Sequence, residues 1–343
     1  MSARYRVLAL FLIAFVIIGG VTARGHAAPL PASGETVRVG YFPNITHAQA
    51  VLGFGSGAFA RGISGVTVHG IVFTAGPDEL NALFAGVIDI GYIGPGPAIN
   101  GFVRAHGGLS IVAGVSSAGA MLVARKGTGI TSVKDLAGKK VAIPQLGNTQ
   151  DIELRALLSD AGLTPTENGG SVRILSVQNP DALSLFQRGD LDAALAPEPW
   201  ASRLVASTGA SIVLNARQIY GGALPAAVII VSTAFLKAHP DLVVRFLRVH
   251  NQLTRQLQQV GQVRSSEEAA LNVQIKTLTG KPLSASILRS ALSNTTFSTS
   301  IDQTLLNRFA TYSIRAGYLP KDAAITGLLD PWPLAHLADP AIQ

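Results

Sequence analysis

The sequence predicts an α/β protein of two lobes, each a mainly parallel sheet flanked by helices, with the chain crossing between the lobes twice. Three observations carry that expectation. Short β-branched runs alternate with helical stretches in two separate series, as in parallel sheets covered by helices on both faces. One helix–strand–turn unit recurs in each series with the same internal offsets. Two apolar runs bracket the second series, where a chain leaving one lobe and returning would cross.

The elements follow in chain order. Arg4 and Arg6 precede the apolar run Val7 to Gly20, and the small residues of VTARGHAAPLPA come next. A basic start, an apolar middle of this length and a small-residue end are the three parts of a secretory signal. The run is shorter than the roughly 20 apolar residues of a membrane span. Residues 1–27 are therefore expected to be a signal peptide, cleaved after Ala27 or after Ala23, leaving a soluble, exported protein. In the first series, strands are expected at Val37–Tyr41, Val66–Phe73, Ile88–Ile93 and Leu109–Val115. Helices are expected from Thr46 to about Arg61, Pro77–Ala85 and Pro97–Ala105. The passage from Arg125 to Lys140 interrupts the rhythm. The second series has strands at Lys140–Ile143, Val172–Val177, Leu191–Leu195 and Ser211–Leu214, with helices at Ile152–Ala161, Pro180–Gln187 and Pro199–Ala206. After the apolar run Ala226–Val231 the chain reads as helical from Pro240 to about Gln259, then at Glu267–Leu278, Ser284–Leu292 and Ile301–Ala316.

The recurring unit is Gly86-Val87-Ile88-Asp89 running into Gly94-Pro95-Gly96-Pro97, matched by Gly189-Asp190-Leu191-Asp192 running into Pro197-Glu198-Pro199-Trp200. A helix end, a Gly, an Asp, an apolar strand and a Pro-rich turn at identical offsets point to repeated architecture. Met121–Arg125 and Ala226–Val231 are the natural crossings. Residues 36–121 with 227–330 then make lobe 1 and residues 122–226 lobe 2. A double crossing of this kind is a hinge, and hinge closure traps small molecules between lobes.

Composition narrows the function. The chain has 343 residues, 48% hydrophobic and 14% charged, with no Cys and a formal net charge of +7. Without Arg4, Arg6 and Arg24 the 27 basic residues fall to 24 against 20 acidic ones, about +4. That excess is too mild and scattered for nucleic acid. The lack of Cys excludes disulfides, thiol catalysis, Cys-ligated zinc and a Cys-anchored lipoprotein. Gly53-Phe54-Gly55-Ser56-Gly57-Ala58 matches a dinucleotide fingerprint in letters only, since it lies well past the strand rather than in the first turn after it. The seven His show no metal-ligand spacing, and only His47, at a strand tip, is a candidate for function. No cofactor is expected.

Ligands of open α/β sheets sit beyond the C-terminal ends of the strands, beside helix N-termini. The tips here are Tyr41 to His47, Thr74 to Pro77, Gly94 to Pro97, Ser116 to Gly119, Pro144 to Gln150, Gln178-Asn179 and Pro197 to Trp200. They are rich in Gly, Ser, Thr, Asn and Gln and almost free of cations. Unpaired N–H groups at helix starts attract anions without Lys or Arg. The cleft therefore suits a small oxyanion held by neutral donors, with Tyr41, Phe42 and Trp200 as walls. Asn148-Thr149, before a helix, is the leading pair. Glu198 would repel an anion, so it meets an ammonium on the ligand, binds a donor from the other lobe, or points away.

Four stretches carry a resemblance: YFPNITHAQA (Tyr41 to Ala50), FTAGPDELNALFAGVIDIGYIGPGPAI (Phe73 to Ile99), SVKDLAGKKVAIPQLGNTQ (Ser132 to Gln150) and GDLDAALAPEPWASRL (Gly189 to Leu204). The chain resembles, from about Val37 to Tyr318, the periplasmic substrate-binding proteins of nitrate/sulfonate/taurine-type ABC importers. The resemblance implies a two-lobe periplasmic-binding-protein type II fold. It also implies capture of a small anionic solute and its delivery to an ABC permease in the inner membrane driven by a cytoplasmic ATPase. It implies a monomer without catalysis. By position it carries ligand contacts to Asn44, Gly76, Gly94, Pro95, Ser116 and Ser117 in lobe 1, and to Gln145, Gly147, Asn148, Thr149, Glu198 and Trp200 in lobe 2. Tyr41, His47 and Gly96 join them from the reading of the tips. The alternative is an enzyme or thiamine-pyrimidine-related binding protein on the same fold. The enzymes of that group use Cys and His chemistry, and this chain has no Cys. A sensory domain would require a transmembrane helix or an effector domain.

Overall fold

A computed structural model describes residues 35–258 and 265–342. The expected signal peptide lies outside the described residues. The first series folds as β1 (Glu35–Tyr41), α1 (Ala48–Gly55), α2 (Ala58–Gly62), β2 (Val66–Val72), α3 (Gly76–Phe84), β3 (Ile90–Ile93), α4 (Pro95–Arg104) and β4 (Leu109–Ala118). The second is β5 (Ala120–Ala124), β6 (Lys140–Ile143), α5 (Thr149–Asp160), β7 (Arg173–Ser176), α6 (Asn179–Arg188), β8 (Ala193–Pro197), α7 (Trp200–Thr208) and β9 (Ser211–Leu214). The remainder is β10 (Pro225–Ser232), α8 (Thr233–Ala238), α9 (Pro240–Gln258), α10 (Ser265–Thr279), α11 (Ala285–Ser293), β11 (Thr295–Phe297), α12 (Gln303–Arg315) and α13 (Trp332–Ala335).

The strands form two sheets, ordered β11-β4-β10-β3-β1-β2 and β7-β6-β8-β5-β9. In the first, β1 to β4 run one way and β10 and β11 the other, since β1 is parallel to β2 and β3 while β10 is antiparallel to both β3 and β4. In the second, only β5 opposes the rest. The sheets are thus mixed rather than mainly parallel. Most strands of each share one direction, but β5 and β10, by which the chain enters each sheet from the other, and the short edge strand β11 run against it, so that antiparallel pairs flank the parallel ones. β5 and β10 are buried on both faces, which explains why they read as unbroken apolar runs. Val228 and Ile230 face the core under α3, α4 and α12, whereas Ala227, Ile229 and Val231 face the core under α1, α9 and α11.

The chain changes sheet two residues earlier than expected. Ala118 and Gly119 both take positive φ, 57° and 73°, and this sharp reversal lets β4 run almost directly into β5. Met121 therefore belongs to the second sheet, and Pro225 and Ala226 to the first. The expected helix from Thr46 to Arg61 is broken. A 3-10 turn at Ile45–His47 leads into α1, and Gly57 at φ 71° separates α1 from α2. The short elements α8, β11 and α13 carry too few residues to show a period in sequence.

The recurring Gly…Asp unit has one job in both sheets. The Asp89 carboxylate accepts the Arg38 backbone N–H at 2.8 Å and the Arg38 guanidinium at 2.7 Å. Asp192 accepts the Lys140 backbone N–H at 2.9 Å and the Arg125 guanidinium at 3.3 Å. The Asp backbone N–H groups return to the carbonyls of Arg38 and Lys140. Each Asp, just before its own strand, thus pairs one residue of the neighbouring parallel strand from both sides, Arg38 within β1 and Lys140 at the start of β6, and fixes the register there.

The two halves also share a core. Ile152 and Ala156 of α5 pack with Ile93, Ile99, Ile111 and Phe309 rather than with the second sheet. α12 lies against both α4 and α5. Burying a side chain such as Phe309 stabilises by about 1.5–3 kcal/mol, so this seam holds the halves close together.

Candidate functional site

The C-terminal ends of β1, β3, β6 and β8 converge on a cavity of about 20 Å³, room for a water or two. Its walls come from both halves. Phe42, Asn44, Thr46, His47, Gly76, Gly94, Pro97 and Ala226 line one side, and Asn148, Thr149, Gln150 and Pro197 the other.

The donors can be counted from the helix starts. The first N–H groups of a helix have no intrahelical acceptor. In α5 the Asn148 side chain caps the Asp151 N–H at 2.8 Å, and the Ile152 N–H reaches the Asn148 carbonyl. That leaves the Thr149 and Gln150 N–H groups, at the cavity wall, for a guest, with the positive end of the helix dipole behind them. α4 is different. Pro95 and Pro97 have no N–H, and the Gly96 N–H points at Thr149 Oγ1 across the seam at 3.4 Å. Its turn supplies closeness instead: a Cβ on Gly94 would come within 2.0 Å of Thr149 Oγ1, and one on Gly96 within 2.7 Å of Ile152 Cδ1. Glycine here is what allows the two halves to touch.

His47 is buried and neutral. Its ring stacks on Phe42 at 4.4 Å, and Nδ1 accepts the Phe42 backbone N–H at 3.3 Å. Burial pushes its pKa down to about 3. With Nδ1 occupied as an acceptor, the single proton sits on Nε2, which makes His47 a neutral donor. Asn44 is held from the other half: Trp200 Nε1 donates to its Oδ1 at 2.9 Å. That bond fixes the amide's orientation and leaves Nδ2 as its donor at the cavity.

Of the expected contacts, Asn44, His47, Gly76, Gly94, Asn148 and Thr149 are brought together around the cavity. Pro95 and Gly96 stand beside it in the first turn of α4. The others are placed elsewhere. Tyr41 is a core residue stacked on Phe54 at 5.0 Å, on the same face of β1 as Val37 and Val39. Ser116 donates to the Thr46 carbonyl at 2.7 Å, and with Ser117 it borders a separate cavity beside Pro225 and Leu305. Gln145 donates to Asp78 at 3.2 Å, and the Gly147 N–H goes to Asp151 at 2.7 Å. Trp200 acts through Asn44 rather than as a wall. Glu198 takes the cross-lobe option. Its carboxylate accepts Asn294 Nδ2 at 2.7 Å, Ser202 Oγ at 2.8 Å and the Ser202 N–H at 3.1 Å. Burial raises its pKa against the pull of these donors. Its backbone also ties the halves, since the Glu198 N–H reaches the Gly119 carbonyl and its own carbonyl accepts the Ile45 N–H.

Thr46, Pro97, Gln150, Pro197 and Ala226 line the cavity without having been singled out, as does Phe42, expected only as a wall. Thr46 and Gln150 lie in the tips already identified. Their signal is position, two residues after Asn44 and Asn148 respectively.

Residues 31–271 match the NMT1-like family, and the chain belongs to that family. A Bacillus subtilis (strain 168) protein named for the binding of aliphatic sulfonates is 31% identical over 192 residues, 54% of either chain. The taurine-binding periplasmic protein of Escherichia coli (strain K12) is 30% identical over 188 residues, 54% of this chain and 56% of that one. The match spans just over half the length of these curated relatives. The alkanesulfonate-binding protein SsuA of Xanthomonas axonopodis pv. citri, solved with MOPS bound, superposes with a TM-score of 0.72 at 20% identity, covering 87% of this chain and 99% of its own. At that identity the likeness establishes the periplasmic-binding-protein fold.

Proposed function

We propose that this chain is a non-catalytic receptor of an ABC importer, which closes its two halves on a small oxyanion of the aliphatic sulfonate/taurine or nitrate class. Residues 35–118 with 225–330, and 120–214, act as the two lobes, opening about the Ala118–Ala120 reversal and the 215–224 connection. The chain is exported by residues 1–27 to the periplasm, works as a monomer and hands its guest to a permease in the inner membrane. One observation carries the reading: neutral donors from both halves, the Asn44 amide, the His47 Nε2–H and the Thr149 and Gln150 N–H groups, meet in one cavity. Family membership and the names of the relatives support the same class of ligand.

In the closed arrangement the cavity holds only about 20 Å³, so a sulfonate head enters as the halves part and closure tightens the donors around it. Binding to the closed form alone shifts the equilibrium toward it. The test is a melting-shift screen of the purified protein against ethanesulfonate, taurine, nitrate, bicarbonate and phosphonates. One of them, at a hundredfold excess over Kd, should stabilise by about 2.7 kcal/mol. No shift with any of them would refute the reading.

A further inference from the structure

The geometry points to a site that admits an anionic head with an uncharged tail and rejects a guest bearing an ammonium. This rests on the oxyanion-receptor reading above and narrows its substrate class. Among the described residues lining the cavity, the polar side chains are Asn44, Thr46, His47, Asn148, Thr149 and Gln150, and none is a carboxylate. Three acids nearby in the fold, Asp78, Glu198 and Asp151, are engaged elsewhere. Asp78 accepts Gln145, and Glu198 faces Ser202 and Asn294. Asp151 accepts the Gly147 N–H, the Arg155 guanidinium at 2.8 Å and the Tyr318 hydroxyl. Glu79 lies fully buried against the backbone of Gly40 and Gly91, where a Cβ would come within 2.4 and 2.7 Å of its Oε1. Burial raises its pKa well above the carboxylate range.

An ammonium in this cavity would surrender its hydration and find no carboxylate in return, and an unpaired charge taken out of water is penalised heavily. The anionic end faces the opposite situation, since N–H donors of two halves converge on it. Phe42, Pro97, Pro197 and Ala226 offer an aliphatic tail apolar contact. The class of ligand is thus an alkanesulfonate, and an amino-sulfonate of the same length is the wrong guest.

Ethanesulfonate and taurine have the same two-carbon chain and differ only by the amine, so calorimetric titration of both reads the effect directly. The wild-type protein should bind ethanesulfonate at least tenfold tighter than taurine. Gln150→Glu, which keeps the acceptor that Asn148 Nδ2 uses at 3.2 Å and adds a carboxylate, should cut that ratio at least tenfold, with circular dichroism of the free variant showing it folded at the titration temperature. Equal affinities, or tighter taurine, would overturn the inference and leave the receptor reading standing, as would binding of nitrate without either sulfonate. A ratio unchanged in Gln150→Glu would also overturn it. If no anion of the panel binds, both readings fall together.

Discussion

Replacing Gly94 by Ala tests whether closure of the two halves is what binds the guest. Gly94 belongs to the β3–α4 turn, and Thr149 stands opposite it at the start of α5. A Cβ at position 94 would meet Thr149 Oγ1 at 2.0 Å and Thr149 Cβ at 3.0 Å, where ordinary contact begins at 3.4 Å. The shortfall is 3.4 − 2.0 = 1.4 Å at the first atom and 3.4 − 3.0 = 0.4 Å at the second. Rotation of the threonine relieves only the first. The backbone at Gly94 has φ −70° and ψ 150°, a region open to any residue, so alanine introduces no local strain and the halves fold as before. Overpacking of this kind costs about 1–3 kcal/mol. That converts to a roughly 5- to 150-fold rise in Kd, at 1.4 kcal/mol per tenfold. Titration calorimetry against the best anion of the screen measures it, with small-angle scattering to record whether the liganded protein contracts. Gly94→Ala/Thr149→Ala should recover contraction in part. An unchanged Kd in Gly94→Ala, with scattering like that of the wild type, would refute closure as the source of affinity.

Trp200→Phe keeps the ring in its core but leaves Asn44 Oδ1 without its donor. Stability should fall by about 1–3 kcal/mol, read by urea unfolding, and ligand affinity should weaken with it; unchanged values would remove Trp200 as the residue that orients Asn44. Glu198→Ala leaves Asn294 and the Ser202 N–H unpaired and should destabilise by a similar amount, about 1–3 kcal/mol. Glu198→Gln, which retains an acceptor, should do less harm, and equal damage by both would contradict the hydrogen-bonding role. Acidity acts through buried histidines. Burial lowers His47 to about 3 and His250, bonded between the Tyr92 hydroxyl and the Gly114 carbonyl, to about 4. Below the ordinary value of 6.5 the unfolded chain takes up protons that the native protein refuses. Each His therefore removes about 1.4 kcal/mol of stability per pH unit between 6.5 and about 4. Glu153 works in the opposite direction. Burial raises it from 4.5 to about 8, so the native state holds a proton that the unfolded state has lost, and stability declines as pH rises across that window. Urea unfolding of Glu153→Gln from pH 5 to 8 should show a pH slope more positive by about 1.4 kcal/mol per unit; an unaltered slope would contradict a protonated Glu153. Because His47 stays neutral above about pH 4, ligand affinity should be flat from pH 5 to 8, and a titration centred near 6.5 would show His47 to be charged in the site.

Much of this architecture is legible in local pattern. The Gly…Asp echo is a case where the letters alone carry the repeat, and the physical reason is that one carboxylate per sheet must close the end of a parallel strand pair. The Asn148-Thr149-Gln150-Asp151 run at the start of α5 is equally local, because capping involves only neighbouring residues. Tyr41 belongs to the core rather than the cleft, and its own strand shows why: side chains alternate along β1, so Tyr41 must share the buried face of Val37 and Val39 while Phe42 turns to the cavity. Glu198 and Trp200 are another matter. Their partners, Asn294 and Asn44, lie 96 and 156 residues away, and no spacing rule connects them. The early crossing at Ala118 escaped for a related reason. β5 is as apolar as the strand before it, and a non-glycine residue at positive φ leaves no trace in composition.

The decisive measurement is a crystal structure of the protein grown with ethanesulfonate. The account predicts sulfonate oxygens within hydrogen-bond distance of Asn44 Nδ2, His47 Nε2 and the Thr149 and Gln150 N–H groups, with Glu198 still turned toward Asn294. Density for the anion at any other place, with this cavity closed and empty, would contradict it.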